Sequence, residues 1–233
     1  MILAGVFVAV AAYQGFSYYK QSKSKNEIIA LSEIDYTYQN ELKAVNDKKE
    51  VNKKEIEELR LAIQKNKSLK KENEKKIADL ENNSESLKVD HSKSQAEYKN
   101  FYEDNMTANS GKVAGLRYAA LVAENDQDYK AAKTIAKNIF DNSLTDSLLF
   151  MQSGFMLVSI AENENSFDEA LSVLDQMMKF SPKGLKSKLL YRKAEVAILK
   201  KDNKLASSTI EKLEKDYASS QEATEASSLK ALL

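Results

Sequence analysis

Cysteine and tryptophan are absent from this sequence, proline occurs once, at Pro182, and glycine only six times. Without cysteine there is no disulfide, no thiolate metal site and no side chain to carry a lipoprotein's lipid, and the compartment cannot be read from thiols. With so few helix breakers, the chain is expected to be almost wholly helical. An excess of one charge is also missing: Lys plus Arg and Asp plus Glu number 35 each, interspersed almost everywhere. Nucleic acid is therefore not expected as a partner, since neutralising phosphates needs a basic excess or stripe. The marks of a catalyst are lacking too. There is no glycine-rich phosphate loop and no paired carboxylate outside an exposed charged helix. The single histidine, His91, has no cysteine or carboxylate at ligand spacing and reads as a polar packing residue. No catalytic residue, metal site or cofactor is assigned, and the chain is not expected to be an enzyme.

What is present comes in three parts of unequal polarity, expected at residues 1–19, 20–104 and 112–233, with a linker at 105–111. Met1 to Tyr19 is uncharged, wholly apolar or small from Ile2 to Ala12, and leads through Phe16, Tyr18 and Tyr19 to Lys20, Lys23 and Lys25. About 18 helical residues reach roughly 27 Å, enough for a hydrocarbon core. Tyrosines followed by lysines suit the headgroup boundary. A transmembrane anchor is the leading reading. A cleaved signal peptide, with Ala9-Val10-Ala11 as its small-residue site, and a buried core helix are the alternatives. Lysines after the span and none before it would hold the large domain in the cytoplasm, whereas a basic leader ahead of the run would reverse that count.

From Ile28 to Phe101 one heptad frame runs unbroken. Its a and d positions include Ile28, Leu31, Tyr38, Leu42, Val45, Ile56, Leu59, Ile63, Ile77, Leu80, Leu87, Tyr98 and Phe101. A 3.5-residue apolar repeat makes a seam that another helix must cover. The same frame puts Asp35, Lys49, Asn52, Asn66, Lys70, Asn73, Ser84, His91 and Ser94 on the seam, so the segment is a coiled coil with a polar middle. Three arrangements satisfy it. A second copy of the chain can pair with it in a parallel rod, the form that unbroken phase favours. The segment can fold back on itself near Gln64 to Ser68, where Asn66, Lys67 and Ser68 offer a polar turn. Or it can stand as a lone solvated helix held by pairs such as Glu50/Lys54 and Glu72/Lys76.

Asn109, Ser110 and Gly111 read as turn residues, after which composition shifts from Lys, Glu and Asn to Ala, Leu and Val. Beyond them small residues recur at helical spacing: Ala120 and Ala132, Gly154 and Ala170, Ala194 and Ala206. They predict three helix pairs, the first and third spaced identically and the middle one stretched by a polar insert, Glu162 to Ser166. Ala132, Ala170 and Ala206 recur with the period of a helical repeat array, and small side chains let the two axes of each pair approach. A last helix from about Gln221 to Leu233, opened by Ser219 three before Glu222, would cap the open face.

In the second pair the order Gly154, Phe167, Ala170, Leu174, Pro182 resembles the tetratricopeptide repeat. No tryptophan opens any pair, only the second closes on proline, and Asn203 stands where an aromatic is usual. The expected fold is all-α: a transmembrane helix, a long coiled-coil segment and three tetratricopeptide-like pairs with a capping helix. The aromatic anchor end Tyr13-Gln14-Gly15-Phe16-Ser17-Tyr18-Tyr19, followed by repeats such as Leu116 to Ala123 and Asp128 to Phe140, resembles the tetratricopeptide-like subunits ancillary to the bacterial SecYEG translocon. A second similarity is to the periplasmic repeat proteins of cell-division coordination, which join a coiled coil to C-terminal repeats. The long heptad insert from about Lys43 to Asp104 departs from the first of these.

The resemblance implies a single-pass inner-membrane protein with periplasmic repeats that bind a polypeptide, a translocon component or an exported chain, in a chaperone-like role. It places partner contacts on the first helix of each pair, at Arg117, Leu121, Asn125, Met151, Phe155, Lys188, Tyr191 and Glu195. That mixture suits an extended or helical peptide with some acidic character. Met151 and Phe155 read equally well as core. The competing reading is a scaffold, in which residues 28–101 oligomerise or space an envelope or cell-division assembly.

Overall fold

The structure, a computed structural model, describes the backbone from Ile2 onward and the side chains from Lys23 to Leu233. Among the described residues there are ten α-helices and no strand. The anchor expected at residues 1–19 lies outside the described side chains. Among the residues that are described, no helix is long and apolar enough to cross a membrane. Two compact units divide the chain, Met1–Asn100 and Phe101–Leu233.

The first unit is a helical hairpin. Helix α1 (Ile2–Lys65) ends at Asn66, whose side-chain oxygen accepts from the Ser68 N–H at 3.0 Å and from the Ser68 hydroxyl at 2.8 Å. A single 3-10 turn, Lys67–Leu69, then sends α2 (Lys70–Ser86) back along α1. After the extended stretch at 87–91, α3 (Ser92–Asp104) continues in the same direction. Of the three arrangements that satisfy the heptads, the chain takes the fold-back, and the unbroken phase does not mean an unbroken rod. The polar seam positions explain why, because they bond one another. Asn52 donates to Ser84 at 2.9 Å, and the Tyr98 hydroxyl donates to Asp35 at 2.6 Å. Glu41 accepts from the Ser94 N–H at 3.1 Å and from the Ser94 hydroxyl, satisfying a first-turn amide of α3 from outside that helix. Its second oxygen lies 3.0 Å from His91 Nδ1, while the His91 ring stacks on Tyr38 at 4.8 Å.

The second unit is three helix pairs and a closing helix: α4 (Asn109–Asn125) with α5 (Tyr129–Asp141), α6 (Ser147–Asn163) with α7 (Phe167–Phe180), α8 (Lys186–Leu199) with α9 (Asn203–Asp216), then α10 (Gln221–Lys230). Asn109, Ser110 and Gly111 form the first turn of α4 rather than a loop. Gly111 is required for close approach, since a Cβ there would lie 1.9 Å from the Asn105 carbonyl oxygen.

Each pair turns through one residue with positive φ: Gln127 at 54°, Asn165 at 56° and Lys201 at 64°. In the second and third turns the following N–H closes a six-residue loop, Ser166 to Ala161 and Asp202 to Ala197. In the first, Asp128 reaches one residue farther, to Val122. The extra residue is therefore in the first turn, and no insert stretches the second. That shift corrects one packing residue. Ala120 is exposed, and the position equivalent to Ala194 is filled by Ala119. In the second pair the equivalent position is Val158, and Gly154, one turn earlier, lies under Met177, whose sulfur an added Cβ would meet at 2.6 Å. Ala132, Ala170, Ala194 and Ala206 are all fully buried. One core runs across the pair boundaries, from Phe140 of α5 stacked on Phe150 of α6 at 4.4 Å to Leu189 and Val196 of α8. Ser220, not Ser219, caps α10, accepting from the Ala223 N–H at 3.1 Å, and Leu229 and Ala226 of that helix close the core over Leu213.

Candidate partner-binding face

The first helices of successive pairs form a layer of their own. Helix α4 packs on α6 and α8 on α10, and Arg192 of α8 reaches Glu162 of α6. The second helices α5, α7 and α9 carry the strongest one-sided amphipathicity, with Lys130, Thr134, Lys137 and Asp141 of α5 all exposed. The first helices bury more of their circumference, so what they leave uncovered is a narrow strip.

Six of the eight expected contact residues lie on that strip. Arg117, Asn125 and Lys188 are exposed, and Phe155, Tyr191 and Glu195 are half-buried. Partial desolvation pulls the Arg117 guanidinium below its usual value. Phe155 rests its inner edge on the core of the middle pair, and Tyr191 on the core of the last. The other two are core. Leu121 is 4% exposed, and Met151 is 6% exposed, with the Ser181 hydroxyl donating to its sulfur at 3.0 Å. For Met151 the packing alternative is what the structure holds.

The strongest electrostatic feature of the face is one that spacing does not reveal. Arg192 is shared between Glu195 at 3.0 Å and one oxygen of Glu162. The other Glu162 oxygen is buried and accepts no hydrogen bond. Burial pushes the Glu162 carboxyl above its ordinary range, against the pull of Arg192. Beside it, Tyr191 is raised by burial and by the carboxylates of Glu195 and Glu225. A buried acceptor without a donor is uncommon in folded proteins, and here it adds to the burial that disfavours the charged form of Glu162. Glu162 stands seven residues after Phe155, two helical turns along the same side of α6. That was the available signal, but its pairing with a residue thirty positions on is a tertiary fact. Among the described residues, no group of three or more His, Asp or Glu side chains is placed to hold a metal ion.

No protein-family model, curated protein or solved structure matches this chain.

Proposed function

We propose that the chain is an interaction protein whose three pairs are a tetratricopeptide-like array, binding a polypeptide along the strip formed by α4, α6 and α8. The observation that carries this is the combination of half-exposed Phe155 and Tyr191 with the half-buried carboxylate of Glu195 on first helices of the array. Aromatic side chains with one wet edge supply apolar area at little entropic cost, and the partly exposed Glu195 carboxylate supplies an acceptor for a peptide amide or a cationic side chain. In the fuller form of the proposal, residues 1–19 anchor the protein in a bacterial inner membrane. The array then faces the periplasm and assists exported chains at the translocon.

The scaffold reading draws less support. Part of the hairpin's seam is covered within one chain, through Asn52 with Ser84 and Asp35 with Tyr98, while Ile28 of the same seam is left 61% exposed. A photo-crosslinker at Phe155 is expected to give a discrete protein adduct in cells, and the same group at Thr134 on α5 is not. The double substitution Arg117→Ala and Tyr191→Ala should lower the Phe155 adduct at least about tenfold. An unchanged yield, or equal labelling from Thr134, sinks the proposal.

A further inference from the structure

The connection from α7 to α8 concentrates positive charge in a chain that has none in excess. Between Gln176 and Ala194 stand Lys179, Lys183, Lys186, Lys188, Arg192 and Lys193, with no acidic residue among them. Two of these are spent, Arg192 on Glu162 and Glu195 and Lys193 on Asp175. Lys179, Lys183 and Lys188 are exposed and Lys186 half-buried, and none of the four is in an ion pair among the described residues. Lys179 instead lies 5.4 Å above the ring of Phe180.

Exposed apolar side chains share this end of the array. Phe180 is 51% exposed, and only its inner edge is packed, against Phe150 at 6.2 Å. The next residue, Ser181, touches Met151, so this connection lies against the first turns of α6. There Leu148 is 65% exposed, and Leu144, in the connection leading into α6, is 52% exposed. The acidic groups nearest in sequence are already engaged. Asp146 caps α6 by accepting from the N–H groups of Leu148 and Leu149, and Asp141 pairs with Lys137 at 3.0 Å. The result is a set of large apolar side chains and a set of uncompensated ammonium groups at the same end of the array, where α5 and α7 end and α6 and α8 begin.

We propose that this end of the array, Leu144, Leu148 and Phe180 with Lys179, Lys183 and Lys186, docks on the surface of an anionic lipid bilayer. Tips that are each more than half exposed, at the last residue of α7, in the first turn of α6 and on the connection before it, suit a deformable apolar phase. Lysine stems reach headgroup phosphates while the ring and leucines enter the acyl boundary. An acidic protein would use the charge but leave the apolar tips without a matching surface. The assignment does not depend on residues 1–19, nor on the polypeptide-binding strip.

The absence of cysteine makes the test direct. Nothing lies within 4 Å of a Cβ added at Gly184, so Gly184→Cys in the full chain accepts a single environment-sensitive fluorophore at the centre of the lysines. Vesicles of phosphatidylcholine with about one third phosphatidylglycerol should shift its emission to the blue, saturably, while pure phosphatidylcholine should not. Lys183→Gln with Lys186→Gln should weaken the apparent partitioning about 25-fold, roughly fivefold for each lysine. Phe180→Ser should weaken it several-fold with the lysines intact. No shift on anionic vesicles overturns the proposal, as does a shift that the lysine variant leaves unchanged. A response to soluble polyglutamate without one to vesicles also overturns it and assigns the surface to a protein.

Discussion

Among the described side chains of the hairpin, the buried ones are Asn73, Ile77, His91, Ser94 and Tyr98, whereas from Phe101 onward they are overwhelmingly Ala, Leu, Val, Ile, Met and Phe. Both regions are helices packed on helices, yet they are held by different forces. The array buries a contiguous apolar core, so its stability scales with area removed from water. The hairpin buries little and depends on a few well-formed polar links, above all Glu41 with Ser94 and His91. Such links add little net stability when made and are expensive to leave half-made. Helices of similar length and charge can thus differ in how they fail, by cavity in one region and by an orphaned polar group in the other.

Substitutions that break each region in its own way sharpen this contrast, with hydrogen exchange in urea reading the two regions separately. The largest effect belongs to the array. Leu174→Ala, at a fully buried position of the middle pair, should cost about 2–5 kcal/mol and lower protection throughout 101–233. The half-buried Leu59, changed to Ala in the hairpin, should cost under about 1.5 kcal/mol. Next is Glu41→Ala, which removes the acceptor of Ser94 and the partner of His91. It should cost the hairpin about 1–3 kcal/mol and leave the array's protection unchanged. Equal losses in both regions would dissolve the contrast.

Alkaline pH should weaken the hairpin through one named group. Burial, helped by nearby Tyr38 and Glu41, pushes the Tyr98 hydroxyl up to about 12. A raised folded pKa means that the contribution is fully present below the ordinary tyrosine value near 10. It is then lost as pH climbs through about 12, because the unfolded chain ionises first. The hairpin should lose up to about 2 kcal/mol across that window, and Tyr98→Phe should flatten the dependence. A chain whose pH profile is the same with Phe at 98 would show that Tyr98 is not the source. Smallest are the turns of the array. Gln127→Gly and Lys201→Gly relieve left-handed backbone at two of the three turns, and each should stabilise 101–233 by about 0.5–1 kcal/mol. Destabilisation would mean that those side chains hold the turn.

Several features were legible before the fold was known, each because the physics behind it is local. Helices follow from composition, and Ala132, Ala170 and Ala206 mark equivalent positions because each stands five residues after the positive-φ residue of its turn, Gln127, Asn165 or Lys201. The turn at Asn66 was visible as an option but not decidable. A heptad seam states that a partner is needed and not whose chain supplies it. Ala120 was taken for Ala119 because one extra residue in the 126–128 turn changes the hydrogen-bonded loop without changing the pattern of small residues. Leu121 and Met151 were placed on the binding strip because a first helix in this array is buried on two sides, which periodicity of one helix cannot show.

By itself, the sequence determined that this chain is helical, that its first part is too polar to build a large core, and that small residues pair its later helices, all properties of short windows. Only the tertiary structure decided that the polar seam closes on itself and that Arg192 joins Glu162 while one carboxylate oxygen stays unmet. It also decided that Phe180 meets Phe150 edge-on, thirty positions away. Each of these joins residues that successive turns of chain bring together, and the energy of such a meeting depends on distance in space rather than on distance along the chain.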